Sequence, residues 1–270
     1  MTQQSYLTVS VHTLGRFMKL WVWAGILLVI VILCIFSDPV PQDPLYHHFV
    51  DQRMLLGTPH ALNVLSNIAY LLVGILGCTL IGKRRDSVKG INMLYFVFFI
   101  GVLLTGFGSA YYHWSPDNTR LVWDRLPMTI GFMSLICIVV SERCSLSLGL
   151  TLFPWLLALG ILCVVYWAWL DDLRPYYVVQ YGMMLLLPIL IWRFKGPGTF
   201  WLWLIISLYF IAKLLELWDL QVFNWSEGII SGHTLKHLVS AVGVMMVVIK
   251  IHTIKSHSKY EFTTKNIYKI

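Results

Sequence analysis

Charge is what this sequence has least of. Asp, Glu, Lys and Arg together make up 12% of its 270 residues, about half the usual share of roughly 25%. Such a composition argues against a soluble fold. Cysteine is sparse and scattered: Cys34, Cys78, Cys137 and Cys163 lie in apolar runs and Cys144 in a connector, with no paired spacing. A disulfide framework or a thiolate metal site is therefore not expected. Internal repeats and low-complexity tracts are missing too, and the connectors are too short to hold a separate soluble domain.

What is present is apolar: 58% of the residues are hydrophobic. A membrane-spanning helix needs roughly 20 mainly apolar residues, and eight segments come close, at 18–36, 62–81, 91–113, 121–140, 146–169, 175–194, 199–218 and 232–252. The expected fold is an all-α bundle of membrane-spanning helices. The first apolar run, Leu20 to Phe36, exceeds the 7–15 residues of a signal-peptide core and is followed by no A-x-A-like cleavage site, so it is expected to remain as an anchor helix.

The formal net charge of +7 raises the question of a nucleic-acid partner, and its placement answers it. With Arg16 and Lys19 before the first span on the cytoplasmic side, the same side collects Lys83, Arg84, Arg85, Lys89, Arg143, Arg193, Lys195 and the lysines from Lys250 onward. The other side holds only Arg53, Arg120, Arg125 and Arg174, beside acidic residues such as Asp117, Asp171, Asp172, Asp219 and Glu227. Repeated at every loop, this is the positive-inside asymmetry, with both termini cytoplasmic. The basic charge is topological, and nucleic acid is excluded as a partner.

In so apolar a chain the polar residues near membrane depth carry the information. An ionisable side chain at the bilayer centre costs at least about 2.5–3.5 kcal/mol, so it faces a cavity or a partner. Four stretches hold such residues: the third span ends Gly108-Ser109-Ala110-Tyr111-Tyr112-His113, the fourth opens Trp123-Asp124-Arg125-Leu126-Pro127, the seventh ends Lys213-Leu214-Leu215-Glu216, and the eighth opens His233-Thr234-Leu235-Lys236-His237. Following the topology, all four reach one level at the outer boundary. His233 and His237, four residues apart, share a helix face, and Ser109 stands one turn from His113. Three histidines leave zinc one open position for water, as in catalytic sites, and Asp124 is placed to take and return a proton.

Each residue also has a plainer reading. Ser109 between two small neighbours suits helix packing. Lys213 and Glu216, three residues apart, suit an ion pair. His12, His252 and His257 read as single interfacial residues, while His47, His48 and His60 fit either headgroup contact or solvent. Trp167, Trp169, Tyr176 and Tyr177 read as an aromatic belt.

The motifs resemble those of the alkaline ceramidase family, within the CREST superfamily of seven-helix membrane hydrolases, over roughly residues 55–255. Gly108-Ser109-x-x-x-His113 followed by Asp124-x-x-Pro127-Met128 is similar to the family's central motif, His233-x-x-x-His237 to its last motif, and Asn63-x-x-Ser66-Asn67 to an asparagine-serine-asparagine segment of ceramidases. The variant around Tyr111–Asn118 looks closest to bacterial members. The resemblance implies that His113, His233 and His237 hold zinc, that Asp124 and Ser109 are catalytic, and that a ceramide-like amide is cleaved to a long-chain base and a fatty acid. Asn63, Ser66 and Glu216 are candidate substrate contacts. It implies a seven-helix core over 41–255, preceded by a tail and anchor helix at 1–40 and followed by a basic tail at 256–270. The family's calcium-binding segment corresponds here to Tyr46–Arg53, with a single acidic residue, Asp51. Calcium takes 6–8 oxygen ligands, so neither calcium dependence nor strict ceramide specificity follows. An acyl-ester lipase or phospholipase, a seven-helix lipid receptor and a proton-coupled transporter remain as other readings. The expected partner is a membrane lipid, with no obligate protein partner. The expected location is a membrane (the inner one if the source is bacterial), with the site toward the outer face.

Overall fold

The computed structural model describes residues 36–84 and 89–267, with Val29 and Ile32, and side chains as far as Ile254. The expected first span at 18–36 falls almost wholly outside them. Among the described residues, seven helical segments are long and apolar enough to cross a membrane, and none forms a strand beyond one isolated bridge. The spans are α1 (Ala61–Leu65) with α2 (Ile68–Gly82), then α3 (Lys89–Trp114), α4 (Asn118–Arg143), α5 (Leu146–Leu170), α6 (Arg174–Arg193), α7 (Thr199–Leu217) and α9 (Gly232–Ile267). The short α8 (Asp219–Trp225) links α7 to α9. Their bounds differ from the sequence-based segments by a few residues, except α9, which continues well past 252.

The span formed by α1 and α2 is interrupted, and its sequence explains why. At Ser66-Asn67 the backbone tightens to three-residue hydrogen bonds, with Asn67 N reaching Val64 O and Tyr70 N reaching Asn67 O. Freed carbonyls in an apolar environment need donors, and side chains provide them. Asn67 Nδ2 donates to Asn63 O at 2.8 Å and the Ser66 hydroxyl donates to the same oxygen at 3.1 Å.

Helices α3 and α4 pack closely because small residues and a proline meet there. Pro127 lacks the N–H that would bond Trp123 O. Gly108 lies over that carbonyl, where a Cβ would collide with it. Farther down, Gly101 lets α3 approach the backbone of Gly131. In a bilayer such close approach, rather than a hydrophobic drive, is what holds helices together. Here it sets Ser109 and Asp124 on one wall.

At the far end of the bundle Lys250, 1% exposed, is paired with Glu142 at 2.6 Å and bonded to Tyr95 at 2.9 Å. A buried ammonium is tolerable only with such partners. At the site end, the segment before α1 is strapped across the bundle. Gln42 N donates to Asp171 at 3.0 Å and Leu173 N to Val40 O at 2.8 Å. The Arg174 guanidinium beside Asp172 holds that carboxyl down at about 2. Asp51 pairs with Arg53, which also donates to Ile229 O.

The aromatic-belt reading needs correction for two residues. Trp167 and Tyr176 are buried, and their rings flank the Arg125 guanidinium at 4.3 and 4.8 Å. A cation on an apolar helix draws aromatic faces inward. Trp169 does face outward.

Candidate metal centre

Three helix ends converge at the strapped end of the bundle. His113 lies in the last turn of α3, and His233 and His237 in the first two turns of α9. All three are buried, and each offers a ring nitrogen within 4.8 Å of the others. The Nε2 atoms of His113 and His233 are 3.2 Å apart. Two ring nitrogens so close need a shared proton or a shared cation between them. Tetrahedral zinc with Zn–N of 2.0–2.1 Å places its nitrogens about 3.3–3.4 Å apart. The spacing observed fits that edge, and the third imidazole beside it suits a cation better than a lone proton.

The chain also orients these rings. Ser66 spends its proton on Asn63 O, so its oxygen accepts from His237 Nδ1 at 2.8 Å. That fixes the tautomer and leaves His237 Nε2 as the free donor atom. The break between α1 and α2 is what brings Ser66 to this position. Asn63, buried, accepts from Thr234 at 2.7 Å and Ser231 at 3.4 Å, pinning the start of α9. Asp219 accepts the His233 amide at 2.7 Å. Phe49 roofs the cluster, its ring centroid 4.6 Å from those of both His113 and His233. Ser66→Ala is expected to weaken metal binding about 10–100-fold, as read by competition with a chromogenic chelator, while helix content stays unchanged.

Ser109 and Asp124 lie on one wall of a cavity of about 380 Å³ that His237 also lines. The Ser109 side chain neighbours the Asp124 carboxyl on that wall. Glu216 lines the cavity as well, and the expected Lys213–Glu216 ion pair is present. Sequence reasoning missed that Lys236 completes it, with Nζ 3.0 Å from Glu216 and 3.0 Å from His233 Nε2. His47, left undecided by the sequence, bonds Tyr112 and Asn118, both at 2.9 Å. His60 sits in a left-handed backbone position beside Asp51 O. Ser66 and Asn63, candidate substrate contacts from sequence, are placed against the histidines and α9.

Behind this polar cavity lies an apolar one of about 580 Å³, lined from α3, α4, α6, α7 and α9 by side chains such as Phe98, Phe132, Leu187 and Val244. The two share Tyr70, Thr105, Met128, Tyr209 and Ser240 as walls. A polar chamber adjoining an apolar one suits a lipid.

The model of the ceramidase family matches residues 59–195. The chain belongs to the ceramidase family. That match takes in Ser109, His113 and Asp124 and ends before α9. No curated protein matches the chain. Membership supports hydrolysis of the ceramide amide and a lipid substrate, and the buried histidine cluster can hold a metal ion.

Proposed function

We propose that this ceramidase-family protein is a zinc-dependent amide hydrolase that cleaves ceramide-like lipids to a long-chain base and a fatty acid. The observation that carries it is a cluster of three buried imidazoles, one of which, His237, lines a cavity together with Ser109 and Asp124. His113, His233 and His237 hold the metal. Zinc bound there supplies Lewis acidity and water acidified to near-neutral pKa. Asp124 takes the proton of the attacking water and delivers it to the leaving amine. Ser109, against that carboxyl, steadies the water or the developing oxyanion. Phe49 and the strap above it keep bulk water from the imidazoles. The apolar chamber accommodates an alkyl chain of the lipid.

The hydrolase core is residues 41–255, and the site opens on the face away from the basic termini, toward the outer leaflet. The test is mass spectrometry of the products from a ceramide and from an ester lipid with the same acyl chain. Release of long-chain base and fatty acid from the amide is expected. Cleavage of the ester alone would move the assignment to a lipase, and binding without any cleavage would move it to a receptor.

A further inference from the structure

Lys236 has no part in the chemistry described so far, yet it touches the centre where that chemistry is placed. It lies between His233 and His237 on α9, lines the polar cavity with Ser109, Asp124 and His237, and its side chain is 17% exposed. Its Nζ is 3.0 Å from Glu216 and 3.0 Å from His233 Nε2. An ammonium only donates, so His233 Nε2 is the acceptor there and carries the lone pair that a metal would use. Neutralising Glu216 does not by itself require Lys236, because Lys213, three residues back on α7, already pairs with the other Glu216 oxygen. The formal charges on the cavity wall balance at rest, with Asp43, Asp124 and Glu216 against Arg125, Lys213 and Lys236. Glu216 is therefore a tether. With one oxygen on each lysine, it holds the Lys236 ammonium beside the metal centre. A lone pair cannot serve a metal and a lysine N–H together. Once His233 Nε2 turns its lone pair to a metal, that N–H loses its acceptor on the wall of the reaction cavity. An unpaired ammonium donor is costly inside a membrane bundle, so it turns to an oxygen in that cavity.

We propose that Lys236 is a catalytic residue whose ammonium donates a hydrogen bond to the amide carbonyl oxygen of the substrate as that oxygen gains negative charge. This rests on the hydrolase reading above. As water adds to the carbonyl carbon, the π pair of the C=O bond moves onto oxygen, where the lysine N–H meets it. When that pair returns, the C–N bond breaks and the amine leaves with the proton that Asp124 took from the water. No proton leaves Lys236. The donor is already held by Glu216, so little reorganisation accompanies the reaction, which is what makes such a group effective. With the oxyanion at Lys236, Ser109 is left to orient the attacking water.

Wild type, Lys236→Met and Lys236→Arg are compared in lipid nanodiscs by three readouts. These are zinc affinity in competition with a chromogenic chelator, kcat and KM for ceramide, and the affinity of a phosphonate analogue with a tetrahedral phosphorus in place of the amide carbon. Lys236→Met is expected to bind zinc at least as tightly as wild type, since a cation beside a ligand atom is removed. Its kcat should fall by about 10²–10³-fold, the usual worth of one oxyanion donor, with KM little changed. It should bind the phosphonate at least about tenfold more weakly, because the interaction belongs to the transition state. Lys236→Arg restores a cationic donor and is expected to recover part of both losses. If the methionine variant fails to fold, Lys236→Gln carries the same expectations. A loss of kcat that tracks weaker zinc binding and is cured by excess zinc overturns the proposal and makes Lys236 a support for His233. Wild-type cleavage together with a fully active Lys236→Met overturns the lysine's role alone. No cleavage by zinc-loaded wild type overturns the hydrolase reading, and this role with it.

Discussion

Asp124→Asn is expected to lower kcat for ceramide cleavage by about 10²–10⁴-fold, the usual worth of a positioned acid–base group, with the metal retained. The carboxyl stands on the cavity wall in the second turn of α4, outside the set of three ring nitrogens that can hold a cation. Asparagine preserves its size and its contact with Ser109, so the close packing of Gly108 on Trp123 is undisturbed. What it lacks is the ability to take a proton from water and return it to the amine. The loss should therefore appear in kcat, with KM nearly constant and metal content equal to wild type. Full activity would remove Asp124 from the mechanism.

His237→Ala is expected to lose both metal and turnover. Three ligands leave zinc a single open position, whereas His113 and His233 alone leave a half-empty sphere. The substitution also strands the Ser66 hydroxyl, whose oxygen is turned to His237 Nδ1. Elemental analysis should fall from about one zinc per chain to near none, and ceramide cleavage to background. The contrast with Asp124→Asn is the informative part. One variant stays loaded and inactive, the other is empty and inactive. If His237→Ala kept its metal, the three-histidine centre would be wrong.

The helices and the histidine centre were legible in sequence for a physical reason. Spans announce themselves by composition over some 20 residues, and successive spans alternate in direction, so the shared level of His113, His233 and His237 follows from counting along the chain. Contacts between helices have no such local signature. Ser66 meets His237 across 171 positions, and only the interruption at Ser66-Asn67 turns it that way. Trp167 and Tyr176 have the composition of an interfacial belt, yet the buried Arg125 beside Asp124 draws both rings inward. That signal was present, since an arginine inside an apolar helix requires partners. Lys236 gave a similar hint, being basic and placed between two expected ligands, but its bond to Glu216 depends on how α7 and α9 pack. Phe49, one of several apolar residues in the strap before α1, had no local mark at all.

The most direct measurement is metal dependence of ceramide cleavage by the purified wild-type protein. The protein is stripped with a chelator, titrated with zinc and assayed for fatty acid and long-chain base at each point. The account predicts that cleavage falls to background on stripping and returns in proportion to added zinc, levelling at about one equivalent per chain, as a mononuclear three-histidine site requires. Undiminished cleavage by protein that elemental analysis shows to hold no transition metal would contradict it.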